Sequence, residues 1–259
     1  MTTQELSISS YNDRRRMRIP GPARATAERA FFGGMAVLLC VVVFIGFFRT
    51  FFGAGFVEAP LPSPILRVHG IVFTAWMLLF MAQAALVCAR RVAWHRKLGI
   101  VAFCLPPLMV VLGVIAAIDA LGRGVTIGTL DPATSLAIPL WNIAAFAIVI
   151  FAAWKARRRP DAHKRLILLA TIGLSDAALG RLPWAQVGIP TAAGAVIGLA
   201  VLILAVVAYD LLSLRRVRRS TMWGAPVVFA AGAFAVPLGM TSAWHSFAHL
   251  LARVVVPYV

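Results

Sequence analysis

At 259 residues, 61% hydrophobic and only 13% charged, the chain is too apolar for a soluble domain, in which about half the residues are apolar and about a quarter charged. Its formal net charge of +16 would suggest nucleic acid in a soluble protein, but a membrane protein concentrates Lys and Arg on its cytoplasmic side, and that account needs no nucleic acid. The three cysteines, Cys40, Cys88 and Cys104, all fall in apolar runs, which excludes a disulfide framework and a cysteine zinc site.

Residues 1–28 are polar, carry Arg14-Arg15-Arg16-Met17-Arg18, and lack an apolar run followed by a small-residue cleavage site. They read as a basic cytoplasmic tail rather than a signal peptide. Residues 29–259 read as one all-α membrane domain. Its first span runs over 30–48 and is followed by a connector with Pro60, Pro62 and Pro64. The second, 68–89, is uncharged, long enough to cross about 30 Å of hydrocarbon, and bracketed by Arg67 and Arg90-Arg91. His69, Phe73, Trp76, Phe80 and Gln83 share one of its faces, which should look into a bundle.

A basic hairpin containing His95-Arg96-Lys97 leads to a third span, 98–118, closed by Asp119 and a Gly-rich loop. The fourth, 137–154, carries Trp141 and Asn142. The fifth, 166–182, contains Ser175, Asp176 and Arg181 and is the most polar. The sixth, 192–212, has Gly194 and Gly198 in a small-xxx-small spacing. The last, 225–250, should bend at Pro237 and end through His245 and His249.

The expected architecture is therefore a seven-transmembrane-helix bundle with its N-terminus inside and C-terminus outside. In that arrangement 20 of the 25 Lys and Arg residues lie in cytoplasmic segments, and a missed span would destroy the bias. The implied location is a bacterial inner membrane, with anionic headgroups at the cytoplasmic face as the partner; homo-oligomerisation is left open. The segment Arg90-Arg91-x-x-x-His95-Arg96-Lys97-Leu98 returns 68 residues later as Arg158-Arg159-x-x-x-His163-Lys164-Arg165-Leu166, as a parallel internal repeat would require.

Three sets of polar residues are candidates for chemistry. His69, Asp119, His245 and His249 fall near the outer boundary, and the i, i+4 spacing of the last two directs both imidazoles one way. The set would suit a divalent transition metal used in redox or hydrolytic chemistry. The same histidines suggest a haem b alternative, with His69 and His245 at the outer level and His95 and His163 at the inner one. Asp176 lies about 16 Å along its span, with Asn142 at a similar depth and Arg181 further out. An ionisable group there suggests a proton or ion relay in a coupled transporter of small solutes. A structural or assembly role without a site is the remaining alternative.

Seven spans with His245-x-x-x-His249 in the last resemble the progestin and adiponectin receptor-like membrane hydrolases. That resemblance implies a zinc site to which Asp119 would also contribute. The chain departs from the family pattern at the second span, where Arg67 and Val68 precede His69 and no Ser-x-x-x-His element occurs. The His95-Arg96-Lys97-Leu98-Gly99 and His163-Lys164-Arg165-Leu166 segments look like those of uncharacterised bacterial multi-pass proteins, which implies an inner-membrane location.

Overall fold

A computed structural model describes residues 22–57 and 61–255. Among them are ten α-helices and no strand: α1 Pro22–Phe47, α2 Pro64–Cys88, α3 Val92–Ala102, α4 Leu105–Gly122, α5 Pro132–Lys155, α6 Pro160–Leu174, α7 Asp176–Leu179, α8 Thr191–Leu214, α9 Arg219–Gly239 and α10 Ser242–Val255. The basic tail lies almost wholly outside the described residues.

Among the described residues, six helical segments are long and apolar enough to cross a membrane: Ala23–Phe52, Pro64–Cys88, Val92–Gly122, Pro132–Lys155, Thr191–Leu214 and Arg219–Gly239. The protein is an all-helical, multi-pass membrane protein. Helix starts follow local chemistry. Ser63 and Asp131 cap α2 and α5 through their side-chain oxygens, each with proline in the first turn, where its missing N–H costs nothing.

The expected count of seven is not reached by length and apolarity, and the shortfall lies in the fifth span. α6 stops at Leu174, and a single non-helical residue, Ser175, separates it from the one-turn α7. The cause is visible in two successive back-bonds: the Thr171 hydroxyl donates to Ile167 O at 2.9 Å and the Ser175 hydroxyl to Thr171 O at 3.0 Å. Such bonds compete with the helical ladder and bend it.

Two other expected spans are also interrupted. The third begins earlier than its apolar run, at Val92, because the basic hairpin is itself helical. It breaks at Phe103–Cys104, where Pro106 and Pro107 offer no N–H to the preceding turn. The last span breaks at Met240–Thr241 rather than at Pro237. There the Thr241 hydroxyl accepts from Trp244 N at 3.3 Å and starts α10 afresh.

The proposed repeat has a local counterpart in the backbone. Arg91 and Arg159 each occupy the residue before a helix, and His95 and His163 each sit fourth in it. Their amides bond Arg91 O at 3.1 Å and Arg159 O at 3.0 Å.

α5 packs against α4, α6 and α9, and α6 is held between α5 and α9. Leu168, Leu169 and Ile172 of α6 are fully buried with Phe146 and Val149 of α5 and Val228 of α9. Lipid is as apolar as leucine, so this association rests on close packing rather than on water exclusion. Gly46 shows how close: a Cβ built there would stand 2.5 Å from Ala178 O of α7. Gly194 and Gly198 of α8 likewise make room for Trp184 and Leu179.

Candidate functional site

A buried polar contact joins α5 to α7. Asn142 Nδ2 donates to Asp176 Oδ2 at 2.8 Å, and the two residues are 9% and 6% exposed. α5 brings Asn142 inward one turn after Pro139, while the break at Ser175 sets Asp176 at the first position of α7. Gly232 of α9 closes the third side, since a Cβ there would lie 3.6 Å from Asp176 Oδ1. The carboxyl is thus enclosed by three elements and bonded to a group that donates but carries no charge. An amide satisfies a carboxylate or a neutral acid without fixing either.

Arg181 is not the partner of Asp176. It donates from Nη1 to Ala177 O at 2.6 Å and lies over the Phe47 ring at 4.5 Å.

The outer candidates separate into three places. His69 stacks on Phe73 at 4.0 Å, and its Nδ1 is buried without a partner among the described residues. Asp119 is engaged by Arg123 at 2.8 Å one turn along its own helix. His245 and His249 do share a face, with ring centroids 6.2 Å apart, but the acid beside His245 is Asp131 rather than Asp119. Among the described residues no three His, Cys, Asp or Glu side chains come together as a metal would require. The expected quartet His69, Asp119, His245 and His249 is therefore not assembled, because α10 turns across the end of α5.

What α10 forms instead is a hydrogen-bonded corner. The Thr134 hydroxyl donates to Asp131 Oδ2 at 2.6 Å and lies 3.2 Å from His245 Nε2, and Asp131 stands 4.0 Å from the same nitrogen. Trp244 Nε1 donates to Ala133 O at 2.7 Å. The Thr134 hydroxyl and amide hold the Asp131 carboxyl below the usual carboxylate range. An open pocket of about 480 Å³ lies between this corner, His249 and Gly122.

At the opposite end, His95 and His163 come near enough to interact electrostatically. Phe103 lies against the His163 ring, 6.2 Å away. His163 Nδ1 donates to Ala153 O at 2.9 Å. The side-chain amide of Gln83, turned to suit its neighbours, donates to His95 O at 3.1 Å and accepts from Gly99 N at 2.9 Å.

Sequence reasoning missed the most buried ion pair among the described residues. Arg165, counted as a loop cation, is 1% exposed and donates from Nε and Nη2 to Asp210 Oδ1 at 2.8 and 2.6 Å. Asp210 Oδ2 accepts from the Thr221 hydroxyl at 2.8 Å and Arg218 N at 3.0 Å. The available signal was Asp210 itself, the one acid in an otherwise apolar helix of 24 residues, which demands a partner. Around this pair Lys164 bridges Glu28 at 2.6 Å and Asp161 at 3.2 Å.

No protein-family description, curated protein or solved structure matches this chain, so function has to be argued from the site alone.

Proposed function

We propose that the protein is a seven-span inner-membrane protein, N-terminus inside, that couples proton or small-cation movement to transport through Asp176. The observation that carries this reading is the buried Asn142–Asp176 hydrogen bond, set at an interruption of its own helix. Broken helices at ionisable residues are how many secondary transporters build midplane sites, since irregular backbone is tolerated there only when protein or water covers it. The metal reading is less favoured because its four residues do not converge, and the outer haem pair His69 and His245 lies apart, whereas Asn142 and Asp176 are directly bonded.

Counting α6 and α7 together as a crossing supports the seven-span count. From Leu166 to Leu182, past the basic loop, the chain rises about 25 Å at about 1.5 Å per residue, within the range that spans a hydrocarbon core. It also places Lys155–Arg165 and Arg215–Arg219 on one side with the tail.

Two experiments test the reading. In proteoliposomes supplied in turn with a panel of small amino acids, sugars and organic anions, the wild type should dissipate an imposed pH gradient with at least one of them, and Asp176→Asn with none. Equal rates in the two, or a wild type indistinguishable from empty vesicles, would refute the coupling. With the native cysteines replaced by serine, Arg157→Cys and Ala185→Cys should react with an impermeant maleimide from opposite sides; labelling from one side refutes the seventh crossing.

A further inference from the structure

On the outside of the bundle, α8 and α9 diverge to leave an apolar groove of about 360 Å³ lined by Ile203, Val207, Ala225, Pro226 and Phe229, with Val217 and Thr221 at its basic end. Both helices belong to the six candidate crossings, and their flanking residues Val201, Leu204 and Met222 are all about 60% exposed. The surface therefore faces hydrocarbon. From Thr221 to Phe229 the groove follows α9 for about 12 Å, within the roughly 15 Å depth of one leaflet's acyl chains.

The end of the groove has a distinct electrostatic character. Arg215, Arg216, Arg218 and Arg219 stand within five residues. The acids that could neutralise them are already committed: Asp210 serves Arg165, Thr221 and the Arg218 backbone, while Asp161 is shared by Lys164 and the Arg218 guanidinium. Among the described residues, Arg215, Arg216 and Arg219 form no ion pair, and Arg218 Nε has no acceptor.

A second observation is independent of charge. Pro226 has no N–H to give the Met222 carbonyl, the acceptor one turn before it, and both residues line the groove. A backbone acceptor deprived of its helical donor inside a bilayer requires one from elsewhere.

We infer that this groove is a binding site for one anionic phospholipid of the leaflet holding the basic ends. An acyl chain lies between Ile203 and Phe229, the phosphate is held by Arg216 and Arg219, and a headgroup or glycerol hydroxyl donates towards the Met222 carbonyl. The inference is independent of the Asp176 reading and holds whether or not the protein transports.

Native mass spectrometry of the full chain in detergent, with added phosphatidylglycerol or phosphatidylcholine of identical chains, tests it. Phosphatidylglycerol should be retained preferentially. Arg216→Gln/Arg219→Gln should weaken its binding roughly thirtyfold, the equivalent of about 2 kcal/mol at about 1 kcal/mol per surface cation. Val207→Trp, which fills the groove and leaves the arginines in place, should abolish retention. Thermal melts without lipid confirm that both variants fold. Equal retention of the two lipids, a double variant that keeps the preference, full binding by Val207→Trp, or a lipid-independent dimer sealed across the groove would each overturn the assignment.

Discussion

Replacing Asp210 by alanine should destabilise the protein more than any other single truncation in the bundle. The carboxylate is 0% exposed and receives four hydrogen bonds: two from Arg165 at 2.6 and 2.8 Å, one from Thr221 at 2.8 Å and one from Arg218 N at 3.0 Å. Its removal strands a guanidinium that is itself 1% exposed and retains only the bond from Nη1 to Asp161 O at 2.7 Å. Breaking a buried pair from one side costs about 3–5 kcal/mol, because the remaining charge is left without compensation. At about 2–4 °C per kcal/mol for a chain of this size, the apparent Tm in detergent should fall by roughly 6–20 °C. Arg165→Met/Asp210→Leu removes both charges at once and should recover most of that loss, since the cost lies in the orphan rather than in the missing attraction. A drop of less than about 2 °C for Asp210→Ala would show that the pair is hydrated and the burial argument wrong. A double variant as unstable as the sum of the singles would show that the side chains act through packing alone.

Further consequences can be checked on the same preparation. Thr134→Val removes the bonds to Asp131 and His245 and should cost about 1–2 kcal/mol, with faster proteolysis near Met240 as α10 loosens. Asp131 has a lowered folded-state proton affinity, so its contribution is present above the ordinary carboxyl value of 3.8 and lost as pH falls through the lower folded value. The Tm gap between wild type and Asp131→Ala should accordingly shrink below about pH 4; a constant gap down to pH 2.5 would contradict the assignment. Gly46→Val drives a side chain into Ala178 O and should destabilise by about 1–3 kcal/mol or more, whereas Gly34→Val, with open space around it, should be neutral in the same melt. Asn142→Leu should impair gradient dissipation as Asp176→Asn does, and unchanged flux would remove the amide from the proposed relay.

Much of this fold was readable from apolar run length, because a segment of about 20 uncharged residues between arginines has few alternatives in water or lipid. The depth match between Asn142 and Asp176 was legible for the same reason, as helix rise converts position into height. The break at Ser175 was not, since a hydroxyl that folds back on its own helix leaves no trace in hydropathy. Nor was the path of α10: His245 has the spacing of a ligand with His249, but whether it meets Asp119 or Asp131 depends on a turn at Thr241 set by one capping oxygen. Arg165 illustrates the deeper limit. Flanked by His163 and Lys164 it looks like any interfacial cation, and only a partner 45 residues away distinguishes it.

That separation bears on how the chain is assembled. The seven large aliphatic residues of α6 and α7, Leu166, Ile167, Leu168, Leu169, Ile172, Leu174 and Leu179, favour membrane insertion by about 0.3–0.6 kcal/mol each. On the proposed seven-span topology Asp176 opposes insertion by about 2.5–3.5 kcal/mol, so the segment is close to break-even. Asn142 has already been synthesised when Asp176 emerges and can receive it at once. Asp210 has not been made when Arg165 emerges: at about 5–20 residues per second, the arginine waits roughly 2–9 seconds for its carboxylate. On the proposed seven-span topology, the α5–α6 hairpin therefore completes its charge pairing only once α8 delivers Asp210.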